Sequence, residues 1–170
     1  KGLVSIAEKF NSNLSIVKSV IKSNQNRKML LTKRVLKIMN NKIKNKKIAV
    51  LGVTFKANTD DMRESSSLVL IPYLLKKGAK VSYHDPSGPK KEFDKKKNLN
   101  FVSSINKACI GADLIIINTE WDEFRSLNFN KVKSKKLKIF DMRNLYQASS
   151  FSNKNITYYS IGRQLHGKKA

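Results

Sequence analysis

Between an apolar run, Ile48-Ala-Val-Leu51, and a serine-rich stretch lies Gly52-Val-Thr-Phe-Lys-Ala-Asn-Thr-Asp-Asp-Met-Arg-Glu-Ser65. It concentrates groups that handle anions: two cations, Lys56 and Arg63, and an aromatic, Phe55, beside the first. A glycine that closes a strand and precedes a helix is where a phosphate-binding turn begins, because backbone N–H groups can approach an anion there. No second or third glycine follows. An anion at this turn must be met by side chains, and Lys56 with Arg63 reads as a phosphate clamp without glycines. Asp61 and Glu64 have the spacing of a capping box. That spacing would put Arg63 in a first helical turn, where a cation opposes the dipole and calls for an anionic ligand or a nearby carboxylate.

Other polar residues close other apolar runs. Asp85 follows Lys80–His84 and has two readings, a ribose-binding carboxylate or the start of an Asp-Pro turn. Asp141 and Arg143 follow Leu137–Phe140; a local Asp turn and a second arginine on the binding edge are both open. Cys109, in Ala108-Cys-Ile110, reads as a small core residue. His84 and His166 are far apart in sequence, so no metal site is expected. No serine–histidine–aspartate set and no pair of catalytic carboxylates stands out, so no catalytic residue is assigned.

The elements that position these residues follow from periodicity. Leu3, Val4, Ile6, Ala7 and Phe10 share one helical face. After Asn11-Ser-Asn13, where Ser12 or Asn13 is placed to cap, Leu14, Val17, Ile21, Leu31, Val35, Ile38 and Met39 keep helical spacing to about Asn41. A helix of roughly 28 residues, well above the usual ~12, reads as a connector or subunit contact. From Lys47 strands and helices alternate: strands at 48–51, 80–84, 101–102, 114–118, 137–140 and 156–159, with helices at 65–77, ending before Gly78, and 104–110, and a helical turn at 120–124. Residues 87–100 read as a loop or short helix, and 166–170 as a frayed end. Short apolar strands separated by helices imply a parallel sheet covered on both faces, with ligands at the strands' carboxyl ends. The expected fold is α/β, a Rossmann-like doubly wound parallel sheet over 47–170 preceded by a long helical dimerisation segment over 1–46.

The 170 residues carry a net charge of +23, with 40% hydrophobic residues. Such charge favours anionic partners. Only six of the 35 basic residues are arginine, and the lysines are spread throughout, which fits base readout poorly, so no nucleic-acid partner is expected. No apolar run approaches the ~18 residues of a membrane span, so no membrane partner is expected. The lone cysteine suits a reducing cytoplasm. The chain opens Lys1-Gly-Leu3 without methionine or an apolar leader, which suggests a piece of something longer.

The residues at 52–67 resemble the signature of the C-terminal domain of the UDP-glucose/GDP-mannose dehydrogenase family: a glycine, two small or apolar residues, Phe-Lys, then Thr-Asp-Asp-x-Arg-Glu-Ser. The resemblance continues through Gly-Ala-Lys-Val-Ser-Tyr-His-Asp-Pro (78–86), Ala112–Phe124, Ile139-Phe-Asp-Met-Arg-Asn144 and Tyr158-Tyr-Ser-Ile-Gly-Arg163, and residues 1–40 resemble the family's long central dimer helix and the helix before it. The Phe-Lys loop and the Tyr158–Arg163 stretch are most similar to the members that oxidise UDP-glucose; those acting on GDP-mannose or UDP-N-acetylhexosamines are the nearest alternatives. The resemblance implies NAD as cofactor, a UDP-sugar as substrate, and oxidation of the sugar C6 hydroxyl to a carboxylate through a cysteine thiohemiacetal and thioester. Phe55 and Lys56 would hold the UDP-sugar between domains. Arg143 would contact its nucleotide part, and Arg63 would reach the NAD pyrophosphate. The family's Cys-x-Pro-Lys-Asp motif and glycine-rich domain would precede Lys1, so Cys109 does not inherit the nucleophile's role and this chain alone is expected to be inactive. A homodimer through the long helix is implied.

Overall fold

The computed structural model describes residues 2–132, 134, 136–151 and 155–163. The expectation about residues 166–170 lies outside them. Six strands, β1 (Lys47–Leu51), β2 (Lys80–His84), β3 (Leu99–Phe101), β4 (Leu114–Ile117), β5 (Leu137–Asp141) and β6 (Ile156–Ser160), form one sheet in the order β3-β2-β1-β4-β5-β6. Every pairing is parallel. The order reverses between β1 and β4, the topological switch point of a doubly wound sheet, where ligand crevices form.

Side chains alternate across the sheet as the pleat requires. Ile48 and Val50 enter the core on one face, with Leu70, Ile71 and Leu74 of helix α3 (Ser67–Lys76). Ala49 and Leu51 enter the other, with Cys109 of helix α4 (Ile105–Cys109), Phe124 and Tyr158. That two-sided burial is why the central strands are apolar throughout.

Ahead of the sheet lie helices α1 (Gly2–Lys9) and α2 (Ser15–Ile38). The carboxyl-terminal half of α2 covers one sheet face, with Val35 and Ile38 in the core, whereas Ile16 and Val20 nearer its start are exposed. Lys138 on β5 donates to the Ile38 carbonyl at 2.6 Å, a cation at the helix's negative end. α2 is 24 residues long, shorter than its periodicity suggested. Asn40 and Asn41 adopt left-handed φ values of 50° and 58°, which ends the helix. Its N-cap position is Leu14, without a side-chain cap, so neither Ser12 nor Asn13 caps it.

Helix α3 also starts later than its sequence suggested, because Ser65 and Ser67 both turn their hydroxyls onto the Val53 carbonyl, at 2.7 and 2.5 Å. Arg63 therefore lies on the loop before the helix, and Asp61 and Glu64 form no capping box.

Gly52 closes β1 at φ +76°, and a Cβ built there would lie 2.5 Å from the Thr119 Cβ. Both the backbone conformation and the approach of the β4 loop require glycine. Gly52→Ala is expected to cost roughly 2–5 kcal/mol of stability by the sum of backbone strain and overpacking, measured by urea unfolding.

Candidate functional site

Because all strands run the same way, the loops after β1, β2, β4 and β5 gather at one edge. Asp85, closing β2, is their hub. One carboxylate oxygen accepts the Val53 N–H at 2.7 Å, the Thr54 N–H at 3.2 Å and the Thr54 hydroxyl at 3.3 Å. The other accepts the Ser87 N–H at 3.0 Å and the Ser87 hydroxyl. The side chain is buried and both oxygens are occupied, so the turn reading holds and the ribose reading fails. The amides that a glycine-rich turn would offer to a phosphate are given to an internal carboxylate.

Asp141, closing β5, acts in the same way. It accepts the Arg143 N–H at 2.9 Å through one oxygen, and through the other the Tyr146 N–H at 3.1 Å and the Tyr158 hydroxyl at 2.7 Å. Burial first, then this carboxylate, raises the Tyr158 phenol above its ordinary value. Asn118, closing β4, donates to the Gly52 carbonyl at 3.0 Å and accepts the Ser66 hydroxyl at 2.6 Å.

On this frame Arg143 spans two loops. Its Nε donates to the Asn118 carbonyl at 2.9 Å, and Nη2 to the Phe55 carbonyl at 3.2 Å. Glu120 Oε2 lies 2.9 Å from the same Nε as an ion-pair partner. Arg143 is thus held at the carboxyl edge of the sheet, and the Asp turn beside it is present too.

A cleft of about 700 Å³ opens between α2 and this edge, walled by Arg27, Lys28 and Leu31 on one side and by Phe55, Asn118 and Arg143 on the other. Phe55 is 49% exposed although aromatic, which suits a stacking surface. Lys28 donates to Glu64 across the cleft at 2.7 Å. The structure therefore brings Phe55 and Arg143 together. Lys56 and Arg63 sit on the same loop but outside the cleft lining.

Arg63 projects into solvent and is chelated by Asp61, with Nε 3.0 Å from Oδ1 and Nη2 2.9 Å from Oδ2. The Arg63 side chain, and then its amide, hold the Asp61 carboxyl below its ordinary value, and Asp61 raises the guanidinium in turn. The neighbouring carboxylate anticipated for Arg63 is Asp61.

His84 is buried. Its Nδ1 donates to the Val102 carbonyl at 2.7 Å, and Nε2 lies 2.5 Å from Glu123. No cluster of metal-ligating side chains occurs among the described residues, and no described helix is long and apolar enough to cross a membrane. Cys109 is a core residue whose thiol burial pushes up to about 12. Sequence reasoning missed Arg27 and Lys28 and assigned no role to Asn118 or Glu120, whose signal is their place just after the Leu114–Ile117 run, at a strand's carboxyl end.

Residues 49–148 match the model for the UDP-binding domain of the UDP-glucose/GDP-mannose dehydrogenase family. The UDP-glucose 6-dehydrogenase of Rhizobium meliloti (strain 1021) is 36% identical over 163 residues, 95% of this chain and 37% of its own length. That of Rickettsia bellii (strain RML369-C) is 38% identical over 155 residues, 88% of this chain and 36% of its own. The chain thus spans little more than a third of these curated relatives. Among solved structures, a UDP-glucose dehydrogenase from the archaeon Pyrobaculum islandicum superposes on 93% of this chain and 34% of its own, with a TM-score of 0.74 and 23% identity, a likeness of fold. An NDP-N-acetyl-D-galactosaminuronic acid dehydrogenase from Methanosarcina mazei Go1 covers 82% of this chain and 29% of its own, with a TM-score of 0.67 and 25% identity.

Two outcomes follow for the site's frame. Asp85→Asn exchanges a charged acceptor for a neutral amide that turns a donor toward donors, and should cost about 3 kcal/mol or more in urea unfolding. Cys109 should resist Ellman's reagent at pH 8 in the folded protein and react on unfolding, since the thiol stays protonated below its raised value.

Proposed function

The chain belongs to the UDP-glucose/GDP-mannose dehydrogenase family, and from that premise we propose that it is the C-terminal, nucleotide-sugar-binding part of a UDP-glucose 6-dehydrogenase. The whole enzyme would oxidise the C6 hydroxyl of UDP-glucose to the carboxylate of UDP-glucuronate, in the cytoplasm. The observation that carries this reading is Arg143, fixed between the Asn118 and Phe55 carbonyls at the mouth of a cleft beside an exposed aromatic. A cation with immobilised Nε and one immobilised Nη2 hydrogen keeps its other donors for a ligand, which suits a nucleoside diphosphate. Phe55 offers a face for a planar or sugar ring, and Lys56, next along the loop, offers a mobile point charge to a phosphate.

NAD, the cofactor this reading requires, supplies the acceptor for the electrons of both oxidation steps. This sheet has no free strand-end amides at the β1 loop to bind a pyrophosphate, because Asp85 holds them. What fits is an outer contact: Arg63 presents a guanidinium whose side chain is 89% exposed and lies outside the cleft lining. Its role is to grip a dinucleotide bound mainly elsewhere in the enzyme. In the same reading the enzyme is a homodimer through the helical segment, supported by the exposed apolar residues Leu3, Ile6, Phe10, Ile16 and Val20.

The second substrate readings within the family are a GDP-mannose and a UDP-N-acetylhexosamine dehydrogenase, and the likeness to the Methanosarcina mazei N-acetylgalactosaminuronic acid enzyme supports the latter. NADH formation by the full-length enzyme separates them. About two NADH per UDP-glucose is expected, the stoichiometry of an alcohol taken to an acid. Turnover of GDP-mannose or a UDP-N-acetylhexosamine alone would change the substrate. Lys56→Ala should lower kcat/KM for the sugar nucleotide roughly tenfold or more, while Lys96→Ala, just ahead of the amino end of β3 and so at the opposite edge of the sheet, stays within about twofold. Equal effects would remove Lys56 from the site.

A further inference from the structure

Glu64 has a backbone conformation its side chain does not favour. Its φ is +60°, in the left-handed region where glycine, asparagine and aspartate are at home and longer side chains are uncommon. Such conformations persist only where the surroundings over-determine them, and they gather where position matters.

Contacts on both sides of the residue supply that constraint. Immediately downstream, Ser65 and Ser67 fasten the chain to the Val53 carbonyl. Across the cleft, Lys28 donates to Glu64 Oε2 at 2.7 Å, and the lysine side chain is only 19% exposed. The partners lie 36 residues apart in sequence, one on α2 and one on the loop between β1 and α3.

Upstream of Glu64 the loop is closed on itself. The Phe55 N–H donates to the Asp61 carbonyl at 2.8 Å, and the Asp61 side chain grips Arg63. With the neck and the stem both fastened, the torsion at Glu64 sets the direction in which Arg63 leaves the fold.

We infer that the Lys28–Glu64 ion pair is a positioning latch: it holds the 54–64 loop against α2 and so fixes the presentation of Arg63. Its effect on cofactor affinity rests on the reading, given above, that Arg63 faces a dinucleotide; its effect on the loop does not. Partly exposed ion pairs contribute little to global stability. Loss of this one therefore shows in the loop and in the ligand, and not in the melting temperature.

The test uses the full-length enzyme with three variants. Lys28→Met keeps the aliphatic stem and the helical preference but removes the charge. Tryptic cleavage after Arg63 should accelerate about threefold or more, and the Kd for NADH, read by fluorescence titration, should rise about fivefold, with Tm unchanged. Lys28→Arg should restore both cleavage rate and affinity. Glu64→Gly relieves the left-handed strain while deleting the carboxylate, and should match Lys28→Met in cleavage rate and NADH affinity. An unchanged cleavage rate in Lys28→Met, an arginine variant no better than methionine, or a glycine variant like wild type would overturn the latch. Faster cleavage in Lys28→Met in an enzyme that binds no NADH would keep the latch and overturn the cofactor reading instead.

Discussion

The Asp85 carboxylate is the constraint on which the strand-end loops depend. A buried carboxylate is costly unless its lone pairs are satisfied, and here backbone N–H groups and hydroxyls from two loops satisfy them. The same contacts that solve the carboxylate's solvation problem fold the β1 loop. Val53 and Thr54 turn their amides inward, and their own carbonyls become available to the Ser65, Ser67 and Thr119 hydroxyls. A dinucleotide fold places a ligand phosphate at this turn; in this sheet the anion belongs to the protein. Ligand recognition is thereby displaced from bare backbone to side chains further out on the loop.

Arg143 inherits that arrangement. The Phe55 carbonyl reaches it because the preceding amides are pinned to Asp85, and the Asn118 carbonyl because the Asn118 side chain is pinned to Gly52 and Ser66. Asp141 sets the arginine's backbone from the other side. Two strand-ending aspartates with identical duties, each tying its own loop or a neighbouring one, therefore fix the geometry of one exposed guanidinium. Rigidity at the edge of a sheet is what lets a loop residue act as a ligand at small entropic cost.

Much of this was legible in the sequence. The alternation of short apolar runs and helical spacing fixed the sheet and its parallel sense, and Phe55, Lys56, Asp85, Asp141 and Arg143 do lie beyond its carboxyl-terminal strand ends. The function of Asp85 was not legible. A ribose ligand and a loop hub both demand a carboxylate at the end of β2, and only the position of Val53 and Thr54 opposite it decides between them. Arg63 was misplaced for a related reason. A serine run before an apolar helix reads as helix, and nothing in Ser65-Ser-Ser67 says that two hydroxyls will turn back onto one carbonyl. The Lys28–Glu64 pair had no signal at all, since charged residues 36 positions apart are brought together only by the docking of α2 on the sheet.

In the proposed enzyme the contribution of this domain is its hold on a ligand. Among the described residues the one thiol is buried and held protonated, and no metal-binding cluster is present. What the edge offers is grip: one fixed guanidinium, an aromatic face, and two exposed cations on a loop whose neck is closed. Interactions with parts of a substrate remote from the reacting bond accelerate catalysis when they orient that bond in the transition state, because binding energy used for orientation lowers the barrier, whereas uniform binding does not. A nucleoside diphosphate is such a remote part, with charge and shape enough to be held firmly several bonds from a sugar's C6. The frame of aspartates then has a catalytic meaning in the proposed enzyme. With the strand-end amides given to Asp85 and Asp141, the turn after β1 has none left for a ligand phosphate, and the edge is rigid instead; in the proposed reading that rigid edge is what holds the sugar nucleotide.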